Sequence, residues 1–180
     1  MTVSLDVSGG IAVIRIDEPS DTLLTDVRAL LPVVAGARAV VLLVDPGLCA
    51  ADTERLVRGS VAEREAVAAS LRGVRDEVAN LSVPVVAAIG GSPSGEAAEL
   101  AMACDLRVLA AEGGLGWVTG GRVTGDQVLV ARRVTADEAL RTGLVDRVVP
   151  RCSLLRAAVE LANECKSTQA ERKSCRIVAP

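Results

Sequence analysis

Hydrophobic positions along this chain repeat with two different periods, and each change of period marks an element. Val3–Val7 and Ile11–Ile16 are β-branched-rich runs on either side of Gly9-Gly10, which predicts a hairpin closed by a two-residue turn. After Pro19, apolar residues recur at Leu23, Val27, Leu30, Leu31 and Val34, the spacing of a first helix. Ala39–Val44 is continuously apolar, as a strand buried on both faces would be, and Pro46-Gly47 ends it. Ser60 with Glu63 forms a capping box that opens a second helix. Its apolar stripe is Val67, Leu71, Val74, Val78 and Leu81, and Arg64, Glu65, Arg72 and Asp76 form its solvated face.

The pattern is densest from Val83 to Ala110. Val83–Ile89 is β-branched-rich and introduced by Pro84, which predicts an internal strand. Gly90-Gly91 permits a tight turn, and Gly95–Ala103 then repeats apolar residues at helical spacing, before a further strand ending at Ala110. A strand, turn and helix in that order aim the backbone N–H groups of the helix start at whatever lies above the strand end. Such a place suits an anion or a developing oxyanion.

Beyond this stretch Glu112–Trp117 is expected as a loop from resemblance to a known family alone. Thr135 with Glu138 is a second capping box, Gly143 stands at the C′ position of the helix it opens, and Leu144–Val149 reads as a short strand. Ser153 is placed to cap a last amphipathic helix, with Leu154, Leu155, Ala158, Leu161, Ala162 and Cys165 on one face. The residues from Ser167 onward are polar and basic. The expected organisation is one domain over residues 1–166, with 167–180 a flexible tail.

Composition narrows the chemistry. In 180 residues there is no His, Phe or Tyr, and Trp117 stands alone. The absence of His removes Ser–His and Cys–His dyads and histidine metal sites together, so no metal is expected. The near-absence of aromatics and a net charge of −3 argue against nucleic acid. No apolar run approaches the ~18 residues of a membrane span, and the N-terminus lacks the plan of a signal peptide. Cys49, Cys104, Cys152, Cys165 and Cys175 are odd in number and show no CxxC spacing, so reduced, mostly buried thiols in the cytoplasm are expected.

Two blocks carry a family resemblance. VPVVAAIGG and ELAMACDLRVLA, within Val83–Ala110, resemble the central signature of the crotonase (enoyl-CoA hydratase/isomerase) superfamily, in which a Gly-rich turn separates a "PVIAA" strand from a helix reading "CELALACD". VTADEALRTGLVDRVVP, at Val134–Pro150, resembles the family's "ISAEEALRLGLVDRVVP". The resemblance implies an α/β fold of the ClpP/crotonase-like ββα spiral type, with largely parallel twisted sheets surrounded by helices. It also implies a homo-oligomer (a trimer or hexamer) and a coenzyme A thioester as substrate or ligand, with no separate cofactor. Where a full family member runs through a "QPE…G…P…GG" region and another helix, only Val118–Leu129 fills the space, a shortening of roughly a dozen residues or more.

Crotonase chemistry moves a proton at the α-carbon of a thioester while two backbone N–H groups hold the enolate oxygen. Carried across, the resemblance places these donors at Ala51, in the segment Leu48–Asp52 that resembles "FCAGADL", and at Glu96. It places the acid/base at Glu99, and the substrate contacts at Ala50, Asp52, Gly91, Gly95 and Thr119. Thr119 stands where hydratases carry a second glutamate, and Glu96 where they carry a glycine. A plainer reading of Glu96 and Glu99 is two acids favoured by the positive end of a helix. Three classes therefore stay open: a working hydratase or isomerase, a degenerate acyl-CoA-binding or accessory subunit of a fatty-acid or polyketide pathway, and a scaffold that kept only the fold.

Overall fold

The computed structural model describes residues 3–17, 22–45, 60–93, 95–123 and 126–165. Strand β1 (Val3–Ser8) turns back into β2 (Ile11–Ile16) as an antiparallel hairpin. Gly9 and Gly10, at φ +57° and +80°, supply the two left-handed positions that this turn type requires. Helix α1 (Leu23–Val34) then leads to β3 (Ala39–Val44), α2 (Val61–Ala79) to β4 (Val85–Ile89), and α3 (Gly95–Ala103) to β5 (Leu106–Ala110). Each of these strands is parallel to the one before it, and β8 (Arg147–Val149) joins beyond β5, giving the order β1-β2-β3-β4-β5-β8. The mainly parallel sheet flanked by helices is the architecture expected.

Alternation along the strands divides the core in two. Ile14, Leu42, Ala87 and Ile89 face one side, where they pack with Val27 and Leu31 of α1, Val74 and Val78 of α2, and Ala97, Leu100 and Ala101 of α3. Val41, Leu43, Val86, Ala88 and Val108 face the other side, against α5 (Leu154–Glu164). Every residue of β3 and β4 is buried. With no Phe or Tyr available, small aliphatics fill both layers. No helix among the described residues is long and apolar enough to cross a membrane.

Several elements differ from expectation in their limits. The internal strand starts at Val85 rather than Val83, because Pro84 has no N–H and the Val85 N–H donates to the Asp105 carboxylate at 2.9 Å. The stretch expected as a loop at Glu112–Trp117 instead enters β6 (Gly114–Val123), which pairs antiparallel with β7 (Asp126–Thr135). Gly114–Val123 and Asp126–Thr135 thus form one long antiparallel pair. The strand expected from Leu144 begins at Arg147, since the Leu144 and Val145 N–H groups both donate to Ala139 O instead. Helix α4 (Ala136–Arg141) has the expected cap, with Thr135 Oγ1 accepting from the Glu138 N–H at 3.3 Å, and Gly143 follows at φ +74°. Ser153 makes no side-chain cap to α5, because a 3-10 turn over Arg151–Ser153 feeds directly into that helix. Cys104 is buried and Cys165 half-buried, but Cys152 is exposed, contrary to the general expectation for the thiols. The expected tail, 167–180, lies outside the described residues.

Candidate functional site

The parallel strands β3, β4 and β5 end together, and the chain leaves β4 through the turn Gly90–Pro93 into α3. This turn is held on several sides. The Gly90 N–H donates to Val44 O at 2.9 Å, extending the β3–β4 ladder by one rung. The Gly114 and Gly116 N–H groups of β6 each donate at 3.0 Å, to Gly91 O and Pro93 O. The chain entering β6 approaches so closely that a Cβ on Gly113 would lie 2.6 Å from Gly91 O.

Gly91 is half-buried in this turn, and Gly95 is the first residue of α3. Glu96 follows in the first helical turn, the part of a helix whose N–H groups point outward from its start. Glu96 and Glu99 lie three residues apart, hence on neighbouring positions of one helix face, and both are half-buried. The opposite face of α3 is packed, with Ala97, Leu100 and Ala101 in the core.

Glu99 has a partner that the sequence reading did not name. Arg75 of α2 places Nη1 3.1 Å from Glu99 Oε2, with side-chain exposures of 45% for Arg75 and 34% for Glu99. At that exposure an ion pair contributes only about 0–1 kcal/mol to stability, so its consequence is mainly where it holds the carboxylate. Thr119 lies on β6 opposite Val130 of β7, and β6 enters the same core as α3 through Leu115. Ala50, Ala51 and Asp52 lie outside the described residues, so only the α3 half of the expected N–H pair can be placed.

The end of α3 is tied down as firmly as its start. Asp105 accepts from the Val85 N–H through its side chain and donates its own N–H to Val85 O, both at 2.9 Å. Arg107 donates to Leu144 O at 2.7 Å, to Cys104 O at 2.9 Å and to Met102 O at 3.3 Å. The Asp-Leu-Arg run therefore fixes α3 between β4 and β5 by pairing one backbone N–H and several carbonyls that would otherwise be unsatisfied.

A second cluster also escaped the sequence reading. Asp45, just past β3, pairs with Arg151 at 2.6 Å, and Arg151 also donates to Gly90 O at 3.1 Å. Its one sequence signal is a carboxylate directly after the wholly apolar run Ala39–Val44. Nothing local marks residue 151 as its partner.

Known proteins match this chain in both sequence and fold. A model of the enoyl-CoA hydratase/isomerase family matches residues 6–119. The fatty acid oxidation complex subunit alpha of Shewanella loihica is 34% identical over 189 residues, covering 85% of this chain but 27% of that relative. The chain thus spans about a quarter of the length of that curated relative. The crystal structure of an enoyl-CoA hydratase from Bacillus anthracis superposes with a TM-score of 0.74 at 27% identity, covering 91% of this chain and 76% of the other. That of a monofunctional enoyl CoA isomerase from M. smegmatis gives 0.68 at 25% identity, covering 92% and 85%. The chain belongs to the enoyl-CoA hydratase/isomerase family.

Proposed function

We propose that this chain binds a coenzyme A thioester at the start of α3 and acts on it as an enoyl-CoA hydratase-like lyase, with Glu99 as its acid/base. The observation that carries the reading is the placement of Gly95 and Glu96 in the first turn of α3, directly after the pinned turn that leaves internal strand β4. Backbone N–H groups at such a place stabilise charge that develops on a thioester oxygen, and one such donor contributes about 3–4 kcal/mol to a barrier. Ala51 would supply the second donor, with Ala50, Asp52, Gly91, Gly95 and Thr119 around the ligand. No cofactor beyond the thioester is needed.

In this reaction the oxygen of water bonds to the β-carbon of the enoyl thioester. The C=C electron pair moves toward the carbonyl oxygen, where the N–H groups hold the enolate. Glu99 takes the proton released by water and delivers a proton to the α-carbon as the enolate collapses. One carboxylate then serves both transfers, because the resemblance puts Thr119 at the second position. An isomerase is disfavoured for the same reason, since its base would sit at that position.

A second reading, an acyl-CoA-binding or accessory subunit without turnover, is favoured by the Arg75–Glu99 pair, which engages the carboxylate that would act as base. Incubation with crotonyl-CoA, beside a titration with several acyl-CoAs, separates the readings. Loss of the conjugated enoyl absorbance supports the lyase, binding without that loss supports the accessory role, and neither leaves a scaffold. The family resemblance further supports a homo-oligomer, trimer or hexamer, and the odd, unpatterned cysteines support a reducing compartment such as the cytoplasm. Light scattering that reports a monomer at tens of micromolar, roughly the scale of transient contacts, contradicts the oligomer.

A further inference from the structure

Three carbonyls of the turn between β4 and α3 are held, but in two different ways. Those of Gly91 and Pro93 accept from backbone N–H groups of β6. That of Gly90 accepts from a side chain, Arg151 Nη1, at 3.1 Å. Arg151 stands in the 3-10 turn that enters α5, on the far side of the sheet from α3, and reaches back over the strand ends. Its other terminal nitrogen, Nη2, lies 2.6 Å from Asp45 Oδ1, so one guanidinium joins the end of β3 to the end of β4. Gly90 makes room for this contact. A Cβ there would lie 2.5 Å from Asp45 Oδ1 and 3.4 Å from Leu154 Cδ2. Its φ is not positive, so clearance rather than backbone freedom is what calls for glycine.

We propose that Arg151, oriented by Asp45, is a positioning residue that sets the direction of the turn leading to the N–H groups of α3. A peptide is planar, with C=O and N–H pointing opposite ways, so holding the Gly90 carbonyl fixes where the Gly91 N–H points. Through that peptide the restraint passes to the helix start. The planar fork of Arg can hold a carboxylate and a carbonyl at once in fixed geometry, which the point charge of Lys does not reproduce. The inference rests on the reading of the α3 start as the thioester site.

The test uses butyryl-CoA labelled with ¹³C at its carbonyl, which has no double bond to hydrate, and infrared difference spectroscopy of the bound carbonyl band. The parent protein is expected to lower the band frequency on binding. Arg151→Ala is expected to bind butyryl-CoA yet lose most of that lowering, with Asp45→Asn intermediate. Should Arg151→Ala fail to fold, Asp45→Asn alone decides by the same readout. An unchanged band in variants that bind as the parent does overturns the inference and leaves the thioester site standing. A shift that falls only in step with melting temperature marks Arg151 as merely structural, which also overturns it. A parent protein that binds butyryl-CoA without any shift, or does not bind it, overturns the site reading and the inference with it.

Discussion

Strand β4 and the β6–β7 hairpin are both regular β-structure, yet they are held by different means. β4 is paired on both edges, by β3 and β5, and buried on both faces. The chain entering it is fastened by Asp105, and the turn leaving it by β6 and Arg151. Among the described residues β6 and β7 form a two-stranded sheet of their own, over Gly114–Val123 and Asp126–Thr135. A two-stranded ribbon is marginal by itself, so the outer rungs depend on local pairing where β4 depends on the whole core. The family match ends at residue 119, part-way along β6. That match takes in all of β4, the turn after it and α3, and ends within the hairpin.

Amide hydrogen exchange should show this contrast most strongly. The Val86 and Ala88 amides should exchange only through global unfolding, while amides near Val123 and Asp126 should exchange through local opening, orders of magnitude faster. Equal protection of both would show that the hairpin is locked into the same cooperative unit. Next in size is Leu100→Ala, at the fully buried centre of α3. It should lower unfolding free energy by about 2–5 kcal/mol in urea titrations. A loss under about 1 kcal/mol would mean that the site helix is no more firmly seated than the hairpin. A smaller effect is expected at the hairpin's base. Thr135→Ala removes the cap on α4 and should cost about 1 kcal/mol, with strand β4 unaffected in exchange.

The sequence showed most of the layout, because the signals were local. Gly9-Gly10 marked the first hairpin, the apolar run Ala39–Val44 marked a strand with two buried faces, and Thr135 with Gly143 bounded α4. Boundaries were lost where a tertiary contact took over a backbone group, as Asp105 does at Val85 and Ala139 O does for Leu144 and Val145. The hairpin at 114–135 differs from expectation because Gly114, Gly116, Gly120 and Gly121 interrupt β6 and weaken its strand pattern, which leaves β7 without a recognisable partner in the sequence. For the candidate site, resemblance alone singles out Glu99, while the glycine pair after the apolar run Val85–Ile89 marks the turn. Arg75 and the Asp45–Arg151 pair were not, since ion pairs between residues 24 and 106 positions apart follow from how elements pack, not from any local period.

The central claim is that Glu99, held on α3 beside the pinned end of β4, moves protons for a thioester substrate. Glu99→Gln keeps the shape and hydrogen-bonding capacity of the side chain but removes the proton acceptor. Crotonyl-CoA hydration by this variant, followed through the enoyl absorbance, tests the claim directly. The rate should fall by about 10²–10⁴-fold, with acyl-CoA affinity nearly unchanged. Turnover by Glu99→Gln at the rate of the parent protein would contradict the claim and leave Glu99 as the partner of Arg75 alone.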